Sequence, residues 1–213
     1  SGSSQANPGV RVRYLAASVR LLLVTPPMTQ LNTPYPATAY LTGFLRQHEA
    51  RLGVEVVQAD AAIELFLRLF SRPGLVRVHE VLARKRSRKV APAVASFLKN
   101  AGRYIATVDS VVGFLQGRDP GFALRVVGRD LLPEGPRFAT IAQGPGADDD
   151  DPLAWAFGGL GTADRAKHLA SLYIDDLADV IRDGIDPEFE LARYGERLAS
   201  SAACMLPKRA CSI

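Results

Sequence analysis

Sulfur and imidazole are scarce in this chain. Its 213 residues include two cysteines, three histidines, two methionines and one tryptophan. The cysteines, Cys204 and Cys211, both fall in the last ten residues. They make no disulfide framework, so a reducing compartment, the cytoplasm, is expected. No apolar run approaches the ~20 residues of a membrane span. Residues 1–19 read as a flexible leader, without the apolar stretch and cleavage pattern of a signal peptide. Neither sign of charge dominates: 26 Lys and Arg against 22 Asp and Glu leave a net charge of +4. That balance is too mild to indicate a nucleic-acid partner, which shows a concentrated basic face. The glycine fingerprint of dinucleotide folds, the P-loop and the G-x-S-x-G nucleophile elbow are all missing. Their absence removes the simplest dehydrogenase, nucleotide triphosphatase and serine-hydrolase readings.

What is present is enough apolar material for a core, 47% of the chain with 23% charged, in the range of an ordinary globular domain. Leu21-Leu-Leu-Val24 is a short apolar run stopped by Pro26 and Pro27, the pattern of a buried parallel strand. Near Ala37 the spacing turns helical, with Tyr40, Leu41, Phe44 and Leu45 on one face. Gly53 marks the return and Val54 to Val57 reads as a second strand. About thirty residues from strand to strand is the size of a βαβ unit, so the two strands are expected to be parallel. A helix through Ile63 to Phe70 follows and is expected to end before Pro73-Gly74. Helices are predicted over Pro92–Leu115, Phe122–Val127 and Ala163–Ile181, and from Asp186-Pro187 to Leu198. Phe138 to Ala142 is read as a third short strand. Pro133 to Asp151, with its four aspartates at 148–151, reads as a loop, and Phe157 to Gly161 as a turn. The fold class is therefore α/β: a partial parallel sheet with a large helical insertion, helix-rich overall. The division is 20–72 for the βαβ unit, 73–200 for the helical region and 201–213 for a tail. Two strands do not complete a parallel sheet, whose faces are normally both covered. A second chain or domain is expected to complete it.

The loop after strand 1 is the first place to look for a ligand, because open α/β sheets bind at the carboxyl ends of their strands. Thr25, Gln30, Asn32, Thr33 and Tyr35 bring polar groups there, and Pro26, Pro27, Pro34 and Pro36 stiffen the backbone. Asp60 ends strand 2, where nucleotide folds place an acid for a ribose hydroxyl; it equally suits the cap of its own helix. His48, His79 and His168 lack a second ligand at helical spacing, and no metal site is expected. The run Arg84-Lys-Arg-Ser-Arg-Lys89 could contact phosphates, but no aromatics are interleaved. A solvated helix end or linker is the plainer reading.

Leu23-Val-Thr-Pro-Pro27, Leu31-Asn-Thr-Pro-Tyr-Pro-Ala-Thr-Ala-Tyr-Leu-Thr-Gly-Phe-Leu45, Gln58-Ala-Asp60 and Ile63 to Phe70 together resemble the amino-terminal region of B12-binding-domain radical S-adenosylmethionine proteins. Leu172 to Gly184, with Asp186-Pro187 and Arg193-Tyr194, is similar to the same group. The resemblance implies a Rossmann-like amino-terminal domain, and the ligand residues expected at its strand ends are Thr25, Pro26, Pro27, Asn32, Thr33, Tyr35 and Asp60. It implies a small-molecule substrate, and cobalamin as the cofactor it admits. It also implies a separate domain holding a [4Fe–4S] cluster and S-adenosylmethionine on a C-x3-C-x2-C motif. This sequence has no such motif, and no D-x-H-x-x-G to ligate cobalt, so on its own it is expected to be inert. The expected partner is the radical domain or a second copy. Two other readings stay open: a non-enzymatic binding module using residues 84–89, and a small nucleotide-binding α/β protein.

Overall fold

The computed structural model describes residues 19–29, 31, 36–85, 90–142 and 161–192. The chain is a helix-rich α/β protein built on a two-stranded parallel sheet. Strand β1 (Val19–Thr25) and strand β2 (Val54–Asp60) pair in register from Val19 opposite Val54 to Thr25 opposite Asp60. Helix α1 (Pro36–Gln47) and the single turn α2 (Glu49–Leu52) connect them, and Gly53 turns the chain into β2. Glu49 accepts from the Val56 amide at 3.0 Å, tying the turn to the strand.

Among the described residues only one face of the sheet is covered. Leu21, Leu23 and Thr25 point with Val54, Val56 and Asp60 toward cover, because side chains alternate along a strand. Leu22 and Val24 point the other way and stay 61% and 46% exposed, so β1 is not the buried strand its composition predicts. The α1 stripe differs from expectation as well. Tyr40, Leu41 and Phe44 face solvent, while Thr38 and Thr42 face the sheet and Leu45 is half-buried. The reason is a polar seam under α1. Gln58 Nε2 donates to Thr38 Oγ1 at 3.1 Å, and the Thr25 and Thr38 hydroxyls lie 3.3 Å apart. An apolar helix face laid there would leave Gln58 and Thr25 without partners, which is costly when buried.

Helix α3 (Ala61–Leu69) starts at Asp60, and helix α4 (Arg72–Arg84) at Ser71, whose hydroxyl accepts from the Gly74 amide at 3.2 Å. Helix α3 ends before Pro73-Gly74, as expected, but these two residues sit in the first turn of a further helix that the sequence pattern does not announce. Proline suits a first turn, whose amides have no intrahelical acceptor. Gly74 is required by contact, since a Cβ there would strike the Arg68 and Leu69 carbonyls.

Helix α5 (Pro92–Leu115) matches its predicted bounds and bends at Asn100, whose side chain bonds the Ser96 carbonyl at 3.1 Å. Helix α6 (Phe122–Val127) follows. Residues 136–142, expected as loop and third strand, form a 3-10 turn (Pro136–Phe138) and the short helix α7 (Ala139–Ala142). Phe138 and Ile141 are both buried, a spacing of three that suits a helical turn and not a strand. Helix α8 (Thr162–Gly184) is the centre of the helical region and packs on α5, α6 and the 3-10 turn. Phe97, Tyr104, Val108, Tyr173 and Ile174 are at most 1% exposed there. Tyr173 donates its hydroxyl to the Tyr104 carbonyl at 2.9 Å, so the buried phenol is satisfied.

Asp186-Pro187 does not open a helix. The Phe189 amide donates to the Asp186 carbonyl and the Glu188 amide to its carboxylate, each at 3.0 Å. Aspartate before proline suits this turn as well as a cap. The rest of that expected helix, 193–198, lies outside the described residues. So do 143–160, which include the four aspartates. Among the described residues no helix is long and apolar enough to cross a membrane.

Candidate functional site

The carboxyl end of the sheet is built from the ends of both strands and the loop after β1. Thr25 and Asp60 are neighbours in register there, and both are buried, at 1% and 4% exposure. Thr25 belongs to the polar seam under α1. Asp60 Oδ1 accepts from the Ile63 amide at 3.0 Å, the bond that caps α3. Both side chains are therefore already bonded within the fold. Pro26, Pro27 and Met28 form the exposed rim, with Met28 in the left-handed region at φ 63° and the Thr29 hydroxyl bonding the Pro26 carbonyl at 3.1 Å. Asn32, Thr33 and Tyr35, with Gln30, lie outside the described residues.

One neighbour of this rim was not foreseen in the sequence. The segment leaving α8 runs past the end of α3, where Phe189 meets Phe70 with ring centroids 6.5 Å apart. It then reaches the β1 loop, where the Leu31 amide donates to the Ala192 carbonyl at 3.2 Å. The loop after β1 is thus joined by one backbone bond to the segment that follows α8.

A second concavity lies along α8. It encloses about 770 Å³ between Arg137, His168, Asp179, Arg182 and the strap Pro187–Leu191. Arg137 donates twice to Asp179, at 2.7 and 2.9 Å, and Arg182 donates to the same carboxylate at 2.8 Å. Partial burial pushes the Asp179 carboxyl up, but the bonds and charges of the two arginines outweigh it and hold it below the usual range. Asp176 sits behind this wall. Burial pushes its carboxyl up to about 6. The sequence did carry a signal for Asp176: it falls on the apolar stripe between Tyr173 and Val180, where a charge is out of place.

The histidines are spread over three elements. His48 stands between α1 and α2, edge-on to Phe44 at 4.8 Å, His79 lies near Phe97, and His168 is on α8. Among the described residues no three metal-ligating side chains gather. Of the basic run, Lys85 donates to the Gly184 carbonyl at 2.6 Å and so closes the end of α8, where a cation favours the helix dipole. Residues 86–89 lie outside the described residues.

The residues do not fit an iron–sulfur cluster, which needs three thiolates in close reach; the chain has two cysteines with six residues between them. No histidine stands at the sheet's carboxyl end to ligate a corrinoid cobalt. No family model, curated protein or solved structure matches this chain.

Proposed function

We propose that this chain is the Rossmann-like amino-terminal part of a radical S-adenosylmethionine protein, and that it forms one wall of a substrate or corrinoid site at the end of β1. The observation that carries this reading is the open sheet. Leu22, Val24 and Val57 form an apolar face that nothing among the described residues covers, beside a proline-stiffened loop at the sheet's binding edge. A parallel sheet is stable when both faces are covered. The covering element is the radical domain or, in its absence, a second copy. The cluster and S-adenosylmethionine belong to that other domain, so this chain binds and orients and does no radical chemistry by itself.

Two measurements test the reading. After anaerobic reconstitution with iron and sulfide, the chain alone is expected to leave S-adenosylmethionine intact; reductive cleavage would overturn its inertness. Hydroxocobalamin or adenosylcobalamin is expected to raise the melting temperature, because a ligand that binds only the folded state stabilises it by about 2.7 kcal/mol at a hundred times its Kd. Tyr35→Ala is expected to remove that rise. A rise with nucleotides and none with cobalamins would favour the small nucleotide-binding protein instead.

A further inference from the structure

Asp176 is the one acid on the buried stripe of α8, at 1% exposure. Its Oδ1 accepts from the Arg137 amide at 3.0 Å, while its Oδ2 is buried and has no hydrogen-bond partner of good geometry among the described residues. The turn that supplies the amide is shaped around this carboxylate. A Cβ on Gly135 would overlap it, so any larger residue there would push the carboxylate aside. From the same turn the Arg137 side chain reaches outward to Asp179 and forms part of the wall of the groove along α8. One short piece of chain is thus fastened to α8 by two carboxylates, Asp176 inside and Asp179 at the rim.

We propose that Asp176 is a proton-operated latch on the Gly135–Phe138 turn: protonated, it holds the turn against α8, and ionised, it loosens that attachment together with the Arg137 wall of the groove. A buried carboxylate met only by backbone amides of the turn, with no side-chain donor among the described residues, is poorly compensated for the water it has lost. Protonation removes the charge and leaves Oδ1 free to keep accepting from Arg137. The charged or titratable groups around it are few. Tyr104 faces it from α5, Arg137 from the 3-10 turn and Asp179 from one turn along α8. On α6 the one cation, Arg125, lies over the Phe122 ring at 5.5 Å.

Burial raises the Asp176 carboxyl to about 6, the Arg137 amide opposes, Asp179 adds and the Gly135 amide opposes again. The unfolded chain has its aspartates near ~3.9. Between these values the folded state holds the proton and the unfolded state does not, so stability rises as pH falls through 6 and levels off below ~4. The full span is about a hundredfold in the folding equilibrium.

The test follows the Arg137 and Phe138 amide resonances, and the melting temperature of the full chain, from pH 8 to pH 4.5. Both amides are expected to titrate with a midpoint near 6, and the melting temperature to rise on acidification. Asp176→Asn, neutral and the same shape, is expected to abolish the amide titration and to melt higher than the native chain at pH 8. Asp179→Asn, at the rim, is expected to keep the titration with a lower midpoint. Amides of the native chain that do not titrate in this range overturn the latch without any variant having to fold. So does a titration that survives Asp176→Asn.

Discussion

The helical region and the sheet unit differ in what their apolar residues meet. In the helical region the stripes of α4, α5, α6 and α8 face one another, and Leu75, Phe97, Val108, Val111, Tyr173 and Ile174 are sealed from solvent. In the sheet unit Leu22, Val24, Tyr40, Leu41, Phe44 and Val57 remain exposed. Apolar content alone does not separate the two. A helix needs one partner for its single stripe, whereas a parallel strand needs cover on two faces. Four packed helices can close on themselves; two strands and one covering helix cannot. Among the described residues the helical region is therefore a closed core, and the sheet unit keeps one apolar face exposed.

The sharpest way to break this comparison is to remove mass from the closed core. Phe97→Ala, at a site with no exposure, is expected to cost about 3–5 kcal/mol in denaturant unfolding. A loss under ~1 kcal/mol would mean that the helices are loosely packed and the contrast false. Gly135→Ala comes next. The added methyl has no room beside the Asp176 carboxylate, and such overpacking is expected to cost about 1–3 kcal/mol. Calorimetry at pH 8 and pH 5 would show whether the cost persists in both protonation states of Asp176.

Asp60 stands at the seam between the two regions, closing β2 and capping α3. Asp60→Ala is expected to cost about 1 kcal/mol, the usual loss of a cap, and Asp60→Asn to cost little, because asparagine caps nearly as well. Melting curves of the two variants, with and without cobalamin, separate cap from ligand contact. If Asp60→Asn keeps stability but loses a ligand-induced shift, the carboxylate does more than cap.

How much of this was legible in the sequence follows the same division. The bounds of α5 and α6 could be read directly, because long apolar periods and local stop signals decide such helices. Both strands and their parallel pairing were legible from run length and the Gly53 return. The direction of α1 was not. Its apolar stripe predicts Tyr40 and Phe44 facing the sheet, but the buried polar pair Thr25 and Gln58 draws Thr38 and Thr42 there instead. That outcome depends on contacts between residues far apart in sequence. The end of α3 before Pro73-Gly74 was legible, but α4, which starts at that junction, was not, because proline marks helix starts as well as ends. Of the candidate site, Thr25 and Asp60 were placed correctly at the strand ends. Their burial, and the strap that brings Ala192 to Leu31, arise from packing that no local pattern encodes.

The smallest expected effect is the most telling. Leu22 lies in the middle of β1, and in a completed parallel sheet a Leu→Ser change there would rank with Phe97→Ala. On the open face it removes little buried area, so Leu22→Ser and Tyr40→Ser are each expected to change stability by no more than ~0.5 kcal/mol. The qualification is assembly. If two copies close the sheet, Leu22→Ser becomes destabilising in a manner that grows with protein concentration, because folding and association are then coupled. Unfolding measured at two concentrations a hundredfold apart, beside sedimentation of the native chain, tells these apart. A concentration-independent loss of 2 kcal/mol or more, above the surface range, would show that the face is covered from within the chain. An unchanged stability with a monomeric native chain leaves the face open for a different domain, which would then stand beside the rim at Pro26–Met28.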